Sequence, residues 1–177
     1  MKRICRYLHG TKDNGLVFNL SKKLVVDCYA DAYFAGLWGH KDPQDTICAR
    51  IRTGFVVTFA NCPLFWVSKL QTDIALSTLN SEYVALSHSV RALLTLKRII
   101  KEVIDNLGID SENLKFVSRS SIYEDNKVSI VVATSPKMTP TSNNTAVMYH
   151  WFRKRVGKEF VIWKIESENQ KAKLAVQ

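Results

Sequence analysis

Nothing in this 177-residue sequence approaches the roughly 18 to 20 uninterrupted apolar residues that a membrane-spanning helix needs. Its opening, MKRICRYLHG, also lacks the apolar stretch of a secretory signal. Together these absences predict a soluble intracellular protein, not secreted and with no membrane partner. The four cysteines, at 5, 28, 48 and 62, show neither C-x-x-C spacing nor the density of a disulfide scaffold, so they read as reduced core thiols. No internal repeat or low-complexity tract is present. Acidic side chains are the other shortage: 16 against 25 basic ones give a net charge of +9. That balance favours a polyanionic partner such as nucleic acid, and an unspecific solubility bias explains it equally well. The positive charge is spread over Lys2, Arg3 and Arg6, over Arg50 and Arg52, and most densely over Arg153, Lys154, Arg155 and Lys158.

What is present is apolar material for one domain with a real core, 46% of the residues. Leu24 to Gly36, LVVDCYADAYFAG, predicts a strand with Asp27, Tyr29 and Asp31 on one face and Val26, Cys28 and Ala30 on the other. Ile51 to Phe59 alternates as a second strand, Asn61 to Pro63 supplies a turn, and Leu64 to Lys69 returns as the third. Three consecutive antiparallel strands result. A helix starts at Ser77 or Thr78 and carries an apolar stripe until Gly108 stops it. Leu114 to Tyr123 is a fourth strand, Lys127 to Ala133 a short helix, and Ser135 to Asn144 either a linker or a functional loop. Thr145 to Val156 predicts a helix, Phe160 to Ile165 the last strand, and Glu166 to Gln177 a frayed polar tail. At the front, Ile4, Tyr7 and Leu8 give a short amphipathic helix ended by Gly10. The succession implies helices packed on a mixed sheet.

Three carboxylates occupy comparable places in that scheme: Asp31 at the end of the first strand, Glu82 in the first turn of the long helix, Asp125 after the fourth strand. Each has an ordinary explanation. Asp is mostly a solvated residue, and an acid near a helix start is favoured by the dipole whatever its use. If the first and fourth strands are neighbours, however, the three converge. Acidic groups crowded together repel and raise one another's pKa values unless a cation sits among them. Magnesium takes oxygen ligands and substrate phosphates, and a pair of such ions can clamp an in-line attack on a phosphodiester. Asp27 either supplements the cluster or lies on the strand's polar face, the reading preferred here, and Glu124 points away from Asp125 if the strand persists that far. His150, between aromatics, reads as a packed residue rather than a proton shuttle.

The motifs in this order resemble the ribonuclease H domain of copia-type (Pseudoviridae-like) retrotransposon polyproteins. RYLHGTKDNGLVF at 6–18 is similar to the segment joining the reverse transcriptase to that domain. YADAYFAG at 29–36, RTGFVV at 52–57, FWVSKLQTDIALSTLNSEYVAL at 65–86, IYEDN at 122–126 and YHWFRKRV at 149–156 follow in the family's sequence. The resemblance implies a ribonuclease H-like mixed five-stranded sheet, its first three strands antiparallel, flanked by helices. It divides the chain into a piece of the connection at 1–20, the domain at 21–166 and a polar tail at 167–177. It implies that Asp31, Glu82 and Asp125 are the catalytic, metal-binding carboxylates, with Mg²⁺ or Mn²⁺ as cofactor. It further implies hydrolysis of the RNA strand of RNA/DNA hybrids, and the reverse transcriptase portion of the same polyprotein as partner. Lys69, Arg153 and Lys154 would lie along the nucleic acid, or form ordinary solvated faces. The chain departs from the family pattern at Ala146, where a fourth acidic ligand is usual, at Asn80 for a glutamate, at Tyr33 for an aspartate, and in the closing KAKLAVQ. Those departures keep a second reading open: a non-catalytic remnant that binds nucleic acid or a reverse transcriptase.

Overall fold

The computed structural model describes residues 2–15, 17–19, 25–33, 51–71, 77–108, 120–135 and 150–176. Its elements are α1 (Lys2–Gly10), β1 (Val26–Tyr33), β2 (Arg52–Phe59), β3 (Cys62–Leu70), α2 (Thr78–Asn106), β4 (Ser120–Glu124), α3 (Lys127–Thr134), β5 (Phe160–Lys164) and α4 (Lys173–Val176). Five strands form one sheet in the order β3-β2-β1-β4-β5. The first three are antiparallel and β4 and β5 run parallel to β1, which makes the sheet mixed as expected.

The strands follow from their residues. β-Branched and aromatic side chains alternate along β1 and β2, so each strand has a face to bury. Val26, Cys28 and Ala30 join Phe55, Val57 and Ile122 beneath α2, whose Tyr83, Val84, Leu86, Val90 and Leu93 complete the core with Phe152, Phe160 and Ile162. The β2–β3 hairpin turns one residue earlier than the sequence predicts, at Ala60 and Asn61, both with positive φ as a tight two-residue turn requires, and β3 begins at Cys62.

Helix α2 starts where Ser77 accepts a hydrogen bond from the Asn80 N–H at 3.2 Å and ends just before Gly108, whose φ of +64° no longer suits a helix. Asn126 caps α3 in the same way, accepting from the Val128 and Ser129 N–H groups. That cap fixes Asp125 between the end of β4 and the capping residue.

Several expectations need correcting. The tail is not frayed: a 3₁₀ turn, Ser167–Asn169, and α4 pack on the sheet face opposite α2, burying Gln170, Ala172 and Val176. Gly54 makes this closure possible, because a methyl group there would collide with Val176 Cγ1. The described part of the predicted helix 145–156 is instead a turn at 150–152 followed by a 3₁₀ turn, Arg153–Arg155. Its aromatic residues dictate the path: Phe152 enters the core against Tyr83 and Phe160, and Trp151 donates to Ser87 Oγ at 3.0 Å. Cys28 and Cys62 are buried as expected, and burial pushes the Cys28 thiol up to about 12, but Cys5 is exposed because no residue of α1 is buried. Cys48, Ala146, residues 34–36 of the first predicted strand and residues 114–119 of the fourth lie outside the described residues.

Candidate metal centre

The site forms where parallel strands β1 and β4 end side by side, at the N-terminal turns of α2. Parallel pairing sets Cys28 against Ile122 and Tyr29 against Tyr123, so the two strand ends reach the same level. Asp31 lies on the β1 face opposite α2, opposite Gly54 of β2, and its Oδ1 accepts the Ala32 N–H at 3.0 Å. Glu82 enters from the second turn of α2 and is only 9% exposed. Asp125 stands just beyond β4, where its Oδ2 accepts from Ser167 Oγ at 2.8 Å. One oxygen from each of Asp31, Glu82 and Asp125 lies within 4.8 Å of the others.

Such crowding has the electrostatic signature the sequence analysis anticipates. Burial, then the charge of Asp125, pushes the Asp31 carboxyl up to about 6, against the opposing pull of the Ala32 N–H and the Lys173 ammonium. Burial, then Asp31 and Asp125, pushes Glu82 up to about 9. Glu82 Oε2 is buried with no hydrogen-bond partner among the described residues. A buried, unpartnered carboxylate oxygen is costly, and a bound cation removes that cost. The donor set, three carboxylates and no sulfur or imidazole, is the kind that Mg²⁺ and Mn²⁺ accept.

A fourth acid belongs to the same neighbourhood. Glu124 does point away from Asp125, but it points into the protein: it shares the inward face of β4 with Ser120 and Ile122 and is fully buried. Its Oε1 accepts the Asn126 N–H at 3.2 Å and its Oε2 has no partner among the described residues. Burial, then Glu82, raises it well above the usual carboxylate range. The strand alternation that places Ile122 inward was the available signal. Two more residues that local reasoning passes over, Ser167 and Lys173, come from the tail.

The remaining candidates spread out. Asp27 is half-buried and accepts the Ser121 N–H at 3.3 Å, a strand-to-strand contact two pleat repeats along β1 from Asp31. His150 Nδ1 bonds the Tyr83 hydroxyl at 2.9 Å with the two rings in contact, which ties the 150–152 turn to the helix that carries Glu82. Lys69 is exposed on edge strand β3 opposite Thr53, itself opposite Ala32, so it lies about 10 Å across the sheet from the site by strand spacing. Arg153 donates to the Ser135 carbonyl beside Tyr83, and Lys154 is exposed farther along the same turn. Tyr33 is exposed at the strand end and Asn80 is buried in α2.

No protein-family model matches the chain. It is similar to the retrovirus-related Pol polyprotein of transposon TNT 1-94 from Nicotiana tabacum, 31% identical over 159 residues, which are 90% of this chain and 10% of that protein. The chain thus spans about a tenth of the length of the retrotransposon Pol polyproteins it matches. In structure it is similar to the N-terminal ribonuclease H domain of a Mycobacterium tuberculosis protein, with a TM-score of 0.52 and 12% identity over 86% of this chain and 91% of that one. It is also similar to a ribonuclease H1 solved in complex with an RNA/DNA hybrid, with a TM-score of 0.52 and 18% identity over 85% and 93% of the two chains. The fold is that of ribonuclease H, and the homologues are copia-type retrotransposon Pol polyproteins, as the motif order implied. Among the described residues no helix is long and apolar enough to cross a membrane.

Proposed function

We propose that this chain, a ribonuclease H fold related to retrotransposon Pol polyproteins, is a nuclease dependent on Mg²⁺ or Mn²⁺ that hydrolyses the RNA strand of an RNA/DNA hybrid. The observation that carries this reading is the meeting of Asp31, Glu82 and Asp125, from three separate elements, within 4.8 Å. Those three residues would hold the metal. When bound, it neutralises charge on the scissile phosphate and favours ionisation of the attacking water.

The chain's own residues prepare the site for that role. The Ala32 N–H holds one Asp31 oxygen, and Ser167 holds one of Asp125, so both carboxylates are oriented before any ion arrives. Burial of Glu82 lowers the local dielectric and strengthens each charge interaction in the pocket. Recognition of an A-like hybrid would rest on phosphate and 2′-hydroxyl contacts. Lys69 on one side of the site and Arg153 and Lys154 on the other flank it as candidates for the phosphate contacts. The reverse transcriptase portion of the same polyprotein is the proposed protein partner, and the compartment is intracellular with no membrane contact.

A labelled RNA/DNA hybrid tests the proposal. Cleavage of the RNA strand that requires Mg²⁺ or Mn²⁺ and spares duplex DNA is the expected result. A second reading, a remnant that binds the hybrid without cutting it, is favoured by Ala146, which stands where the resemblance places a fourth acidic ligand. Hybrid retention without cleavage at any divalent-ion concentration selects that reading.

A further inference from the structure

Carboxylates that share a pocket need positive charge, and the chain supplies some itself. Lys173, the first residue of α4, donates through Nζ to Ser167 Oγ, which in turn donates at 2.8 Å to Asp125 Oδ2. The ammonium is therefore two hydrogen bonds from one acid of the cluster, and it is close enough to Asp31 and Glu82 to favour their ionised forms. It is not a drifting surface lysine. Gln170 Nε2 donates to the carbonyls of Ala30 at 2.8 Å and Tyr123 at 3.2 Å, tying the segment before α4 to the two strands that carry the site. Ala172 and Val176 are buried against β2 at Gly54, which holds α4 from its other end.

The two sides of the cluster differ in charge compensation. Lys173 lies on the α4 side, whereas the buried oxygens with no partner among the described residues, Glu82 Oε2 and Glu124 Oε2, lie on the α2 side. With Glu124 counted, four carboxylates against one ammonium and one divalent ion leave a net charge of −1, and a second divalent ion would reverse it to +1 before substrate arrives. An ammonium and a divalent ion held by the same acids repel one another.

We propose that Lys173 is a tethered cation of the acidic cluster, standing in for a second divalent ion, so that the site takes one Mg²⁺ or Mn²⁺ on its α2 side. This rests on the metal-centre reading above and adds a stoichiometry and a residue to it. The test is a titration of the full chain with Mn²⁺, followed by the electron paramagnetic resonance signal of the free ion, with circular dichroism confirming that each variant is folded. Wild type is expected to bind one ion per chain. Lys173→Met is expected to bind that ion about tenfold more tightly or better, because a like charge has been removed. Lys173→Asp, which adds a ligand in place of the ammonium, is expected to bind two. Two ions in wild type, or unchanged affinity and stoichiometry in both variants, overturn the role given to Lys173 and leave the metal centre standing. No ion bound by wild type or by either variant overturns the metal centre, and this inference falls with it.

Discussion

Replacing Asp31 by Asn is expected to reduce hybrid cleavage at least about a thousandfold, which corresponds to about 4 kcal/mol of lost transition-state stabilisation. The side chain keeps its size and one oxygen, and the Ala32 N–H that holds that oxygen at 3.0 Å remains. What disappears is one of three negative charges that lie within 4.8 Å of one another. A divalent ion gains most of its affinity there from charge, so the variant should also need more Mg²⁺ or Mn²⁺ for any residual cleavage. Loss of fold would give the same kinetic result, and stability separates the two. In chelator the variant should melt no lower than wild type near pH 8, because it has shed a carboxylate that the metal-free pocket repels. Measured cleavage rates and melting curves on the same preparation check both halves. Full activity in the variant would move the chemistry elsewhere on the chain.

The second large effect is on stability against pH. In the metal-free chain Glu82 holds its proton up to about pH 9, whereas in the unfolded chain it releases it near the ordinary value of 4.5. Between those values the folded state binds the extra proton, so stability falls as pH rises, by about 1.4 kcal/mol per pH unit for each such group. The contribution is complete below pH 4.5 and spent by about pH 9. Asp31 adds to the slope only up to about pH 6, and Glu124, raised in the same direction, extends it. Glu82 alone accounts for about 3.5 kcal/mol between pH 6 and pH 8.5, so melting in chelator should drop by at least about 7 to 14 °C over that range. Saturating Mn²⁺ should flatten the profile, since an ion that binds only the folded, ionised cluster restores stability where it is most depleted. Glu82→Gln should remove the Glu82 share of the slope without metal and leave that of Glu124. Scanning calorimetry at several pH values, with chelator and with Mn²⁺, reads these differences directly. A metal-free profile that rises toward pH 8.5 would contradict the burial of these acids.

Local signals in the chain made much of this arrangement legible. The alternation in β2 and the stretch from Ser77 to Gly108 each encode an element through nearest-neighbour chemistry: period-two apolar residues, a cap with a hydroxyl, a glycine at positive φ. Asp31, Glu82 and Asp125 were recognisable because each sits where an element starts or stops. Their convergence depended on β1 lying next to β4, a long-range pairing that local periodicity does not specify and that the motif order supplied.

The rest was hidden for physical reasons. The aromatic residues of 150–156 have helical spacing, yet Phe152 gains more by entering the core beside Tyr83 and Phe160 than a short helix gains from its own hydrogen bonds. The tail is polar in composition, so nothing in its sequence marks that Gln170 satisfies two strand carbonyls, or that Gly54, far away in the chain, leaves room for Val176. For Glu124, the charge argued for the surface while the strand period argued for the interior. The period prevailed: Glu124 Oε1 accepts the Asn126 N–H inside the protein, while burial and the neighbouring acids raise its pKa.

The most direct trial of the metal centre is a crystal of the wild-type chain soaked in Mn²⁺, with an anomalous difference map at the manganese edge. A peak roughly 2.0 to 2.3 Å from an oxygen of each of Asp31, Glu82 and Asp125 is the predicted result. A map with no peak there, and those carboxylates engaged with basic side chains instead, would contradict it.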